Sequence, residues 1–127
     1  MRWEDLVARV GVIQLDLIKT SGFTSCLKKY NENKDASTLN ELVNVLKILG
    51  NRQPLPEKYD GHPMQGQVKK LLGIKGIKNC HVQGDRVLLY KIEGNGFILY
   101  RFGPHSQITE QRLGNHRNRF PLDERFL

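Results

Sequence analysis

Residues 77–102, IKNCHVQGDRVLLYKIEGNGFILYRF, decide the fold. Three short apolar-rich runs, IKNCHV, RVLLYKI and FILYRF, are separated by the turn sequences QGD and EGNG. Runs of this length between glycine-containing turns predict an antiparallel meander. In the middle run apolar groups occupy both parities, with Val87 and Leu89 on one face and Leu88, Tyr90 and Ile92 on the other. Successive strand residues point to opposite faces, so a strand apolar on both belongs at the centre of its sheet.

Towards the N-terminus the periodicity changes. STLNELVNVLKILG (37–50) repeats apolar residues at helical spacing through Leu39, Leu42, Val43, Leu46 and Leu49, and Gly50 supplies a stop. Thr38 and Glu41 have the T-x-x-E spacing of a capping box. SGFTSCLKKYNEN (21–33) predicts a shorter helix, and the two together predict a helical hairpin. VIQLDLI (12–18) alternates partially and predicts a strand. NRQPLPEKYDGHPMQG (51–66) is loop, because its three prolines and two glycines break any period. Residues 1–11 are either an amphipathic helical turn or a loosely held extension, and 110–127 form a second extension with little periodicity. The expectation is one domain over 1–127 with its core at about 12–109, an N-terminal strand and helical hairpin packed on a small antiparallel sheet.

The composition is that of an ordinary globular chain, with 26% charged and 39% apolar residues. No window reaches the ~18 apolar residues of a membrane span. Glu4, Asp5 and Asp16 are wrong for a secretory signal. Cys26 and Cys80 form no framework pattern, so reduced thiols in the cytoplasm are the simplest reading. The net charge of +7 is concentrated: residues 62–105 hold seven Lys/Arg against two Asp/Glu. That surplus surrounds His62, His81 and His105, which suggests a phosphate-rich partner rather than a plain solvated face.

Cleaving RNA without a metal needs a group to take the 2′-hydroxyl proton and another to protonate the departing 5′-oxygen. It also needs cations for the charge that builds on phosphorus. Histidine suits both proton roles because its ordinary pKa is ~6.5. His62 on a loop, His81 on a strand and His105 after the last strand supply such groups, and the meander brings Asp85 towards His81. A single loop histidine is more often a surface residue, and an aspartate after a turn glycine is common for backbone reasons alone. Zinc fits poorly: no CxxC or HxxxH occurs, and the adjacent Cys80 and His81 point to opposite faces. Neither a metal nor another cofactor is expected.

These residues carry a resemblance. LPEKYDGHPMQG (55–66) followed by IKGIKNCHVQGDRVLLYKIEGNGFILYRFGPHS (74–106) resembles the YafQ branch of the RelE-type bacterial toxins. The HP-x-Q-G loop, the C-H-V-x-x-D turn and the closing G-x-H occur in the family's order. The resemblance implies a RelE-like α+β fold and the toxin of a type II toxin–antitoxin pair. Such a toxin is a metal-independent endoribonuclease that cuts mRNA on the ribosome and is held by a cognate antitoxin. It assigns catalytic roles to His62, His81, Asp85 and His105, the largest share to His105, and basic RNA contacts to Lys75 and Lys78. Arg86 and Arg101 extend that basic set. Departures accompany the match: Ile74, Ile77 and Arg86 replace family aromatics, and Thr109 stands where another is common. The inserted QVKKLLG (67–73) adds Lys69 and Lys70, so RNA is expected to be held more by charge and less by stacking. The alternative within the superfamily is a non-catalytic protein that binds a protein or nucleic acid. A plain RNA-binding domain lacks support, because no RRM, KH or OB signature occurs.

Overall fold

The computed structural model describes residues 1–59 and 76–104, together with the backbone of His62–Pro63. The elements are α1 (Trp3–Val10), β1 (Asp16–Lys19), α2 (Ser21–Leu27), α3 (Ala36–Gly50), a 3-10 turn (Glu57–Tyr59), β2 (His62–Pro63), β3 (Lys78–Gln83), β4 (Arg86–Glu93) and β5 (Gly96–Pro104). The strands form one sheet in the order β1-β5-β4-β3-β2, with β1 parallel to β5 and every other pairing antiparallel. The meander β3-β4-β5 is the one expected. Gly84 and Gly94, each at positive φ, open the two-residue turns that link its strands. β4 lies inside the sheet, and Val87, Leu88, Leu89 and Tyr90 are all buried.

The helices cover one face of this sheet. Phe23 and Leu27 of α2, Leu39, Leu42 and Leu46 of α3, Cys80 and Val82 of β3, and Leu88 and Tyr90 of β4 belong to a single apolar core. α3 buries Val45 as well as the stripe read from the sequence, because α1 packs on it with Leu6 and Val10. The N-terminal segment is therefore a core-forming helix, tied further by the edge-to-face pair Trp3–Phe23, whose ring centroids are 6.0 Å apart.

Three local expectations need correction. The first strand begins at Asp16 rather than at residue 12, since Leu15 N donates to Gly50 O and Gln14 N to the Asn51 side chain. Residues 12–15 thus follow the end of α3, and β5 offers a partner only from Gly96 onward. α2 stops at Leu27, after which the Asn31 side chain accepts from Asn33 N and Lys34 N and turns the chain into α3. The Thr38/Glu41 capping box does not form, because α3 already starts at Ala36. Thr38 Oγ1 instead donates to Gln83 Oε1 at 2.7 Å, and Glu41 accepts from the Tyr59 hydroxyl at 2.5 Å. The cap that does form is Thr20, whose hydroxyl accepts from Phe23 N and donates to Leu99 O at the start of α2.

Candidate active site

The site is built around β3, whose C-terminal end is held from the helical side. There Gln83 accepts from Thr38 and donates to Ser37, so α3 clamps the strand just beyond His81. Before that end the strand alternates. Cys80 and Val82 enter the helix-facing core, whereas Asn79 and His81 share the opposite face. Burial pushes the Cys80 thiol up to about 12, which leaves it protonated and unsuited to nucleophilic or ligand chemistry at neutral pH. His81 is half-buried and pairs across the hairpin with Val87.

Register brings a second histidine to this strand. The backbone of His62 in β2 pairs with that of Asn79 in β3, two residues before His81. Asn79 is almost fully buried, and its Oδ1 has no hydrogen-bond partner among the described residues. Sequence reading passed over it, since an isolated asparagine carries no motif. Lys78 has the opposite parity to His81 and is exposed at the start of β3, so the two do not converge on one face.

The β3–β4 turn carries Asp85 and leads into Arg86. Asp85 is largely exposed, and its carboxylate lies 3.9 Å from Arg86 Nη1. The His81–Val87 pair sets the aspartate at the end of the hairpin, beyond the histidine rather than opposite it. Arg86 itself lies opposite Pro104, the last residue of β5, so the chain leaves the sheet towards residue 105 beside this turn. Its guanidinium carbon stands 5.9 Å from the centre of the Tyr30 ring. Tyr30 also packs on Phe102, with centroids 4.9 Å apart. Burial raises the Tyr30 phenol, while the neighbouring guanidinium works in the other direction. Arg101, expected to contact RNA, lies where α2 approaches β5: a Cβ on Gly22 would fall 1.7 Å from its Nη1, and that nitrogen donates to Tyr100 O. His105, Lys69, Lys70 and Lys75 lie outside the described residues, as does the side chain of His62.

The model of the YafQ family, bacterial toxins of type II toxin–antitoxin systems, matches residues 15–110. The chain belongs to that family. The mRNA interferase toxin YafQ of Escherichia coli K12 is 30% identical over 98 residues, which covers 76% of this chain and 98% of that protein. The E. coli DinJ–YafQ toxin–antitoxin complex contains a chain 28% identical, aligned over 76% of this one and 99% of its own length with a TM-score of 0.61. A metal-bound toxin from Helicobacter pylori is 33% identical over 73% of this chain and 97% of its own, with a TM-score of 0.60. The matched span takes in the whole sheet and both of its covering helices, whereas α1 precedes it. Among the described residues, no group of three or more His, Cys, Asp and Glu could hold a metal ion.

Proposed function

We propose that this YafQ-family toxin is an mRNA interferase that cleaves RNA on the ribosome without a metal and is neutralised by its own antitoxin. The observation that supports the reading is the pair of histidine positions on β2 and β3: β3 turns His81 away from the core, and His62 pairs in the backbone with Asn79, two residues before it. Both histidines lie within the family span, as do Asp85 and His105. The likeness to E. coli YafQ, named an mRNA interferase, supports the substrate, and the likeness to the chain bound by DinJ supports the antitoxin.

The chemistry follows from what RNA supplies. The 2′-hydroxyl loses its proton to an imidazole and attacks the adjacent phosphorus. The bond to the 5′-oxygen breaks, and an imidazolium returns a proton to that oxygen. The products are a 2′,3′-cyclic phosphate and a 5′-hydroxyl, with no net redox change and no water consumed. His105 is the proton donor or acceptor carried over from the family pattern, His62 and His81 share the remaining proton and charge roles, and Asp85 orients them. Arg86 and Lys78, of opposite strand parity to His81, contact the RNA backbone away from the attacked phosphorus, and Lys69, Lys70 and Lys75 add cations. No helix among the described residues is long and apolar enough to cross a membrane, which is compatible with action in the cytoplasm where message and ribosomes are found.

Replacing His105 with Gln tests the assignment. General acid–base groups contribute ~10²–10⁴-fold, so the variant should lose cleavage of translated message by that order while keeping its fold. Wild-type cleavage by a correctly folded His105→Gln protein would remove the histidine from the mechanism.

A further inference from the structure

We infer that Tyr30 is a positioning residue of the RNA site: it holds the Arg86 guanidinium as a seat for one phosphate of the RNA at the end of the β3–β4 hairpin. The inference rests on the proposal that RNA is the substrate. No sequence spacing links the two residues, which stand on opposite sides of the α3 segment in the chain.

The tyrosine is fixed from three directions. Its backbone N–H donates to Leu27 O at the end of α2, its carbonyl accepts from the Met1 ammonium, and its ring lies against Phe102 of β5. The residue is 7% exposed, so the ring is held by its surroundings. Arg86 lies over that ring, its guanidinium carbon 5.9 Å from the centroid. A guanidinium stacks on an aromatic ring and keeps its in-plane donors pointing outward, where a phosphate can take two of them at once.

Arg86 keeps donors beyond the hydrogen bond it makes with the Tyr30 phenol. Nε is buried without a hydrogen-bond partner among the described residues, and Nη1 stands 3.9 Å from the Asp85 carboxylate, beyond hydrogen-bonding range. About a third of the side chain is exposed, so its outer edge meets solvent while the ring limits its motion. A surface ion pair of that length holds the arginine weakly and does not saturate it. Arg86 opens β4 opposite Pro104 and has the helix-side parity of Leu88 and Tyr90, so the seat lies at the end of the β3–β4 hairpin on the other face from His81, and RNA reaching both passes round that end.

Binding of a short fluorescein-labelled single-stranded RNA of mixed sequence, 2′-O-methylated so that it cannot be cut, separates this inference from the cleavage chemistry. Arg86→Gln should weaken binding about tenfold and reduce the salt slope by about 0.7, the loss of one phosphate contact. Tyr30→Leu, which keeps the arginine but removes the ring, should weaken binding several-fold, and Tyr30→Phe should restore it. Lys47→Ala, which removes an exposed charge from α3, should leave affinity and slope unchanged. With cleavable message the Arg86 and Tyr30 variants should raise KM and leave kcat near the wild-type value. If wild-type protein binds and Arg86→Gln behaves like Lys47→Ala, the seat is wrong. The tyrosine's role is wrong if Tyr30→Phe falls with Tyr30→Leu, or if Tyr30→Leu folds and binds like wild type. Absence of wild-type binding at every salt concentration overturns the RNA reading beneath both.

Discussion

Cys80 and His81 are adjacent in the chain and opposite in circumstance. The thiol faces the helices in a closed apolar core, and burial alone suppresses its chemistry. The imidazole faces the other way, half-buried, beside Asn79 and in register with the strand that carries His62. One strand thus presents a face closed by the helices and a face on which a half-buried imidazole stands among the buried Asn79, Val87 and Leu89. Hydrophobic burial selects residue type on the first, whereas the second tolerates polar groups, including the unpaired Asn79 oxygen.

The comparison breaks if substitutions on the two faces have similar effects. The largest difference is expected between Leu88→Ala and His81→Gln. Leu88 is fully buried on the helix side, and such truncations cost ~2–5 kcal/mol. His81→Gln should change stability by no more than about 0.5 kcal/mol while reducing message cleavage. Denaturant titrations and cleavage rates on both proteins check the split. Equal stability losses would show that the histidine face is also structural.

A smaller effect sharpens the same contrast through pH. Burial pushes the Cys80 thiol up from 9.0 to about 12 and the Tyr90 phenol up from 10.0 to about 12. Both groups ionise more readily in the unfolded chain. The stability they contribute is complete below their unfolded values and declines as pH rises towards 12. Unfolding free energies should therefore fall on the alkaline side, less steeply in Cys80→Ala. An unchanged alkaline slope in that variant would mean that the thiol is better solvated than its position indicates.

The meander was legible because its causes are local: glycine turns, short apolar runs and two-faced apolarity in RVLLYKI. Its central strand is β4, as the parity of Val87 through Ile92 required. The extent of β1 was not legible, because Leu15 and Gln14 take partners at the end of α3 rather than in a strand. Thr38 and Glu41 have the spacing of a cap, yet Gln83 and Tyr59 claim both side chains, and only the tertiary fold brings those partners near. For α1 the sequence left two outcomes open, and the choice depended on the α3 surface that receives Leu6 and Val10. At the site, alternation along β3 and the order of the motifs separated His81 from Cys80. The pairing of His62 with Asn79 and the support of Arg86 by Tyr30 depend on contacts between distant parts of the chain, for which no local spacing is a signal.

The central claim is that side chains alone perform the cleavage. Its most direct test is purified toxin added to a translating extract stripped of its own nucleases, with the ends of the cut message identified. Because EDTA would also dismantle the ribosomes, toxin and buffers are cleared of transition metals by selective chelation while ribosomal magnesium is maintained. The account predicts undiminished cleavage and fragments ending in 2′,3′-cyclic phosphate and 5′-hydroxyl. Loss of cleavage on chelation with recovery on adding back zinc or copper, or fragments bearing 5′-phosphate, would contradict it and place this chain's chemistry on a metal.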